Sequence, residues 1–240
     1  MLPSSRAQEE IVAPPAAYRV LVFTRTQGFR HDSIPDAVAG LTQLGNEHGF
    51  VVDVTEDPAL FDPVILPAYA AVGFVLTTGD VLDSGQQVAF ESYIRAGGGF
   101  VGVHSATDTE YDWPWYGGLV GTYFADHPPG THRAAVRLED ATQASTRLLP
   151  ETWLRTDEWY NFRSNPRVAS EVHVLATLDE STYSGGTMGD HPIAWLHAYD
   201  GGRAWYTAGG HTAESYHDAL FMDHLLGGIE YAANVAPVGP

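Results

Sequence analysis

Cysteine is absent from the 240 residues. That excludes disulfides, CxxC metal knuckles, iron–sulfur ligation and every cysteine-nucleophile mechanism. Basic residues are few, 12 against 30 acidic ones, for a formal net charge of −18. Such a surface repels phosphate backbones and anionic bilayers, so no nucleic acid and no membrane is expected as a partner. No apolar run approaches the ~18 residues of a membrane span. There is no Walker loop, and GxGxxG fits no strand-to-helix turn, because the run Gly97-Gly98-Gly99 precedes a strand. HExxH and other tight ligand spacings are also missing, so a metal site would have to be assembled from separate loops.

Aromatic residues at 12% and charged residues at only 18% describe a globular chain with a solvated acidic surface. Residues 1–17 mix Pro, Ala, Ser and Glu without periodicity and are expected to form a flexible tail, without the basic start and apolar core of a signal peptide. This favours a cytoplasmic protein; a secreted domain already trimmed of its signal would read the same. From residue 18 to 240 a single domain is expected. Residues 18–24 form a continuous apolar, β-branched run, as a buried parallel strand does. A helix follows, capped by Asp32 or Ser33, with Ile34, Val38, Leu41, Leu44 and His48 at helical spacing and Gly49 as its stop. Strands are expected at 50–54, 70–76 and 100–103, with a second helix over 84–96. This alternation implies an α/β fold, doubly wound and parallel in its first half, with function gathered at the carboxyl ends of the strands. Further strands are expected at 133–138, 171–178, 192–197 and 203–208, short helix and loop over 111–121, and a closing helix over 214–233.

The sharpest local feature is Gly102-Val103-His104-Ser105-Ala106, where a strand enters a small-residue turn in the manner of a nucleophile elbow. A serine elbow centred on Ser105 would need glycines at 103 and 107, which are Val103 and Thr107. Centring the pattern on His104 puts that residue at the tip, where it can act as base, acid or metal ligand. His31, His127 and His211 also follow strands or small-residue loops, and together the four suggest one cleft. Asp108, Asp157, Glu158 and Glu214 are acids placed to complete it. Trp113, Trp115, Tyr116, Trp159, Tyr160 and Phe162 cluster beside these groups, and aromatic rings beside carboxylates and imidazoles suit sugars.

These residues resemble the ThuA-like (trehalose utilisation) family, within the class I glutamine amidotransferase-like superfamily. The similarity rests on 28–34, Thr77-Thr78-Gly79-Asp80, 97–108, 113–121, Phe124 with His127-Pro128, Asp157-Glu158-Trp159-Tyr160, His191-Pro192 with Trp195, and Gly209-Gly210-His211. The resemblance implies a flavodoxin-like, mostly parallel sheet with helices on both faces. It also implies that His104 occupies the position of the amidotransferase cysteine, so glutaminase activity should be absent, and that His211 with Glu214 is similar to the His and Glu of that triad. The family's link to disaccharide use points to a small-molecule sugar substrate.

The expectation is an enzyme acting on a disaccharide or 3-keto-glycoside by His and carboxylate acid–base chemistry. His104, Asp108, Glu158 and His211 are its expected catalytic residues. Arg30, His31, Trp113, Tyr116, His127, Asp157, Tyr160 and His191 are expected to bind the substrate. A divalent metal, with His104 and His211 as candidate ligands, would polarise a keto group. The alternative is a sugar-binding module without turnover, and a Ser105 hydrolase fits poorly. Assembly into a homo-oligomer is left open.

Overall fold

The computed structural model describes residues 18–235; the tail expected over 1–17 lies outside them. The chain begins with β1 (Arg19–Phe23), buried at every position after the first. Helix α1 (Ile34–His48) follows, turning Ile34, Ala37, Leu41 and Leu44 inward. Gly49 ends it at φ +75°, donating its N–H to the Gly45 carbonyl, a conformation that favours glycine. After β2 (Val51–Thr55) and β3 (Ala71–Val75) comes α2 (Ser84–Arg95). Asp83 accepts from the N–H groups of Gly85 and Gln86, and the Gln86 side chain accepts from the Asp83 N–H. That capping box satisfies donors the first helical turn would otherwise leave bare. Next is β4 (Gly99–Val103), fully buried. A Cβ at Gly99 would stand 2.2 Å from the Ala232 carbonyl oxygen, so the strand can enter here only as glycine.

The remaining elements are α3 (Pro114–Val120), β5 (Phe124–Asp126), β6 (His132–Leu138), β7 (Thr152–Asp157) and β8 (Asn161–Phe162). Then come β9 (His173–Asp179), β10 (Pro192–Tyr199), β11 (Gly202–Thr207) and α4 (Ala219–Ala232). Nine strands form one sheet in the order β2-β1-β3-β4-β11-β10-β9-β6-β7. Pairing is parallel from β2 to β11 and antiparallel from β11 to β7. β10 and β11 are joined by Asp200 (φ +47°) and Gly201 (φ +97°), the two left-handed residues of a tight hairpin. β5 and β8 pair separately as a small ribbon.

Helices cover both faces. On one, Val20, Val22, Gly73, Val75, Val101 and Val103 meet Leu41 of α1 and Leu225 and Ile229 of α4. On the other, Phe74 and Phe100 pack against Phe90 of α2 and Tyr116 of α3, with centroids 5.4–6.4 Å apart. Period-two alternation along β3 and β4 sends their side chains to these two layers.

The sequence reading lacks the short strands β5 and β8 and differs at the closing helix and at β7. The closing helix begins at Ala219 instead of 214, because residues 213–217 form a tight 3-10 turn and the Asp218 carboxylate then caps α4 through the Leu220 N–H (2.9 Å). β7 was not expected. Its inward positions are Trp153, Arg155 and Asp157, and Leu154 faces water, which reverses the usual polarity of a half-buried strand.

His224 of α4 is buried, between the Ser145 carbonyl (Nδ1, 2.7 Å) and Thr207 Oγ1 (Nε2, 3.1 Å). Burial pushes its pKa down from 6.5 to about 4. The unfolded chain therefore takes up a proton near pH 6.5 that the folded chain refuses until about pH 4, and stability falls as pH drops across that window. His224→Gln is expected to lose less Tm between pH 7 and 5 than the wild type. An equal loss in thermal melts would assign the acid sensitivity elsewhere.

Candidate active site

The carboxyl ends of β4 and β11, the β1–α1 loop and the segment after β7 meet at one point. His104 follows β4 directly and is held at φ +51°, a left-handed conformation uncommon for a residue with a side chain. Its surroundings fix it there. Tyr206 donates its hydroxyl to the His104 carbonyl (2.7 Å), and a Cβ at neighbouring Gly102 would come within 2.9 Å of the Tyr206 ring. Strain retained at such a turn is a mark of function.

The ring is equally constrained. His104 Nδ1 lies 2.8 Å from the Ala208 carbonyl, which can only accept, so the proton sits on Nδ1. His104 Nε2 then faces Glu158 Oε2 (3.4 Å) and His211 Nδ1 (3.3 Å). His211 Nδ1 is also 3.1 Å from Glu158 Oε2, and His127 Nδ1 is 3.3 Å from Glu158 Oε1. The His31 ring stands nearly perpendicular to those of His104 and His211, at 4.9 and 5.1 Å. One ligating atom from each of His31, His104, Glu158 and His211 lies within 4.8 Å of the other three.

The charge states follow from these contacts. Burial raises the Glu158 carboxyl, but the imidazoles of His104 and His211 beside it outweigh that and hold the group well below the usual carboxylate range. Burial lowers His211, and the Glu158 carboxylate overrides that to leave it raised. His31 is pushed down to about 3, by burial first and by the neighbouring His104 and His211 second. At neutral pH His31 is therefore an uncharged imidazole, and its buried Nδ1 has no hydrogen-bond partner among the described residues. With Nδ1 bonded to the Ala208 carbonyl, His104 Nε2 faces a carboxylate oxygen, an arrangement that calls for a proton or a cation between them. Three imidazoles and a carboxylate, one of them carrying an orphaned nitrogen, fit a divalent metal with nitrogen and oxygen preference.

Asp157 lies beneath the cluster. Its Oδ1 accepts from the N–H groups of Glu158 and His211 (both 3.0 Å), and its Oδ2 from the Gly210 N–H (2.9 Å) and from Arg155 Nη2 (3.0 Å). It fixes the backbone of two cluster residues. With both oxygens taken it has no place for a sugar hydroxyl, and its position is a correction to the expected substrate contact. Arg155, absent from the sequence reading, is itself buried over the Trp153 and Phe221 rings. Its spacing from Asp157, two residues along one strand, was the signal available.

Other expected residues divide between site and core. Tyr160 packs its ring 4.2 Å from that of His104, and its hydroxyl has no side-chain or backbone partner among the described residues. Burial and the Glu158 charge raise its pKa strongly, so it stays a donor. Asp108 accepts the Tyr111 hydroxyl (2.6 Å), and burial raises its pKa against the pull of His104 and His127. Tyr116 is fully buried and donates to the Ala106 carbonyl (2.7 Å), and Trp113 donates to Glu91 (3.0 Å). His191 is enclosed between the Tyr160 carbonyl (2.8 Å) and Glu180 (2.9 Å). These three are packing residues, corrections to their expected sugar contacts. Arg30 is exposed and paired with Glu56 (2.7 Å). Glu214 is exposed; the carboxylate on His211 is Glu158. Ser105 is fully buried, its Oγ out of reach of any substrate.

A half-parallel α/β sheet covered by helices, with a strained histidine at the elbow of β4, defines a flavodoxin-like α/β protein. The family model for ThuA, trehalose utilisation, matches residues 19–232, and the chain belongs to that family. Its fold is similar to that of a ThuA-like protein from Bacteroides uniformis (TM-score 0.77, 23% identity, 94% of this chain and 95% of that one). A ThuA-like protein from Parabacteroides merdae is similar at TM-score 0.73 and 21% identity, over 95% of this chain and 94% of that one. No curated protein matches the sequence. Among the described residues no helix is long and apolar enough to cross a membrane.

Proposed function

We propose that this chain is an enzyme acting on a disaccharide, or its 3-keto derivative, at a divalent metal centre held by His31, His104, Glu158 and His211. The observation that carries this is the convergence of those four ligating atoms within 4.8 Å. The family's role in trehalose utilisation supports the substrate class. The sequence has neither cysteine nor lysine, so thiol and Schiff-base catalysis are not part of it.

When bound, the metal supplies a Lewis acid for a sugar carbonyl or hydroxyl oxygen. The protein's own groups handle protons. Glu158 is held below the usual carboxylate range and burial raises Asp108 above it, which makes Asp108 the more basic of the two carboxylates. With a 3-keto-glycoside, Asp108 as a carboxylate takes the proton from C2. The C2–H electron pair forms the C1=C2 bond, the C1–O bond breaks, and its electron pair leaves on the aglycone oxygen, which takes the proton back from Asp108 directly or through water. The unpartnered Tyr160 hydroxyl and half-exposed His127 bind sugar oxygens beside the centre.

Purified protein is expected to consume 3-keto-trehalose, followed by NMR, in the presence of Mn²⁺ or Zn²⁺. Chelator treatment or His104→Ala should remove that activity, by at least about 100-fold. Unchanged turnover after His104→Ala would overturn the proposal, and saturable sugar binding without turnover would identify a binding module instead.

A further inference from the structure

Phe29 is 65% exposed, and among the described residues the other strongly exposed large apolar side chains are aliphatic. Its loop is nevertheless firmly held. The Gly28 N–H donates to Thr78 Oγ1 (3.2 Å), the Thr78 hydroxyl donates to the Phe29 carbonyl (2.8 Å), and the Gln27 N–H donates to the Thr78 carbonyl (2.7 Å). Thr78 is itself buried at the carboxyl end of β3. A large apolar ring is thus presented to water from a pinned backbone. Its position is specific too. The Phe29 ring stands nearly perpendicular to His31 at 4.9 Å, and His31 is 4.9 Å from His104.

We infer that Phe29 is the stacking platform for the second, non-reacting pyranose ring of a disaccharide, and so the residue that selects disaccharide over monosaccharide. This rests on the function proposed above. The cluster presents imidazoles and a carboxylate, with a phenol beside it, which recognise the hydroxyls and carbonyl of the reacting ring and are indifferent to what is attached to it. A pyranose has apolar C–H faces and polar edges, and laying one face on Phe29 removes apolar surface from water on both partners. Phe29 stands two ring contacts from His104, the right order of distance for a neighbouring sugar when the first occupies the centre. Binding through a non-reacting part is a general means of holding the reacting bond in place.

The test compares KM for 3-keto-trehalose and for methyl 3-keto-α-glucoside in the metal-loaded wild type, Phe29→Ala and Phe29→Trp. Phe29→Ala is expected to raise KM for the disaccharide about tenfold and for the monosaccharide less than about twofold. Phe29→Trp should preserve the preference, and bound metal should match wild type in both variants. Equal effects on the two sugars, or none on either, would overturn the inference while leaving the proposed function intact. A wild-type dimer that Phe29→Ala dissociates would also overturn it, since Phe29 would then be covered by a second copy. Wild-type protein turning over neither sugar would instead remove the proposed function, and this inference with it.

Discussion

Glu158→Gln is expected to lower turnover of a 3-keto-disaccharide by at least about 100-fold and to weaken metal binding by a similar factor. The substitution keeps the side chain's shape and removes only its charge. That charge is what three imidazoles converge on, with His211 at 3.1 Å, His127 at 3.3 Å and His104 at 3.4 Å. It is also what raises His211 above its usual value, against burial. In the metal-free variant the His211 ring should therefore titrate at lower pH than in the wild type, by NMR of its ring protons. A ring that titrates unchanged would mean that Glu158 does not govern the cluster.

The same two groups set opposite pH dependences on stability. Glu158 is held below its usual 4.5, so its contribution is present above that value and is lost as pH falls through its folded pKa. His211 is held above its usual 6.5, so its contribution is full below that value and is lost as pH rises through its folded pKa. Metal-free wild type should thus gain stability from this pair on the acid side of neutrality, and Glu158→Gln should lose that gain.

Asp157→Ala is expected to cost about 3–5 kcal/mol of folding stability, read from urea unfolding, because it leaves the buried Arg155 guanidinium without its nearest carboxylate. Asp218, 3.3 Å from Arg155 Nη1, is half-exposed and compensates only in part. The loss should reach the site as well. Removing Asp157 frees the N–H groups of Glu158, Gly210 and His211, so metal affinity is expected to fall about 10–100-fold. Arg155→Met combined with Asp157→Ala should recover stability, since the stranded charge is gone, and should not recover metal affinity, since the three N–H groups remain unanchored. Recovery of both would show that Asp157 acts on the site only through Arg155.

Much of the fold was legible in the sequence because the inner parallel strands β1, β3 and β4 are buried on both faces. Continuous runs such as Val20-Leu21-Val22-Phe23 carry that burial in their composition, and Gly97-Gly98-Gly99 followed by Phe100 marks where β4 begins. The elbow was legible for a steric reason, since a Cβ at Gly102 would crowd the Ala106 methyl and the ring of Tyr206, whose hydroxyl holds the His104 carbonyl. β7 was hidden because Arg155 and Asp157 occupy inward positions, and their burial is repaid by each other, by Ser215 and Asp218, and by the N–H groups of a distant loop.

By itself, the sequence determined the class of fold, the absence of thiol chemistry, the histidine at the elbow and the resemblance that places the chain among trehalose-utilisation proteins. Only the tertiary structure decided which of eleven histidines and thirty acids lie together. His31, His104, Glu158 and His211 come from four separate segments, and no local spacing records that they meet. Tyr116 and His191 have the same chemistry on paper, but their polar atoms are spent on the carbonyls of Ala106 and Tyr160 in the core. The parallel sheet makes that division, because it brings the loops at its carboxyl edge to one point and buries what lies between its strands and helices.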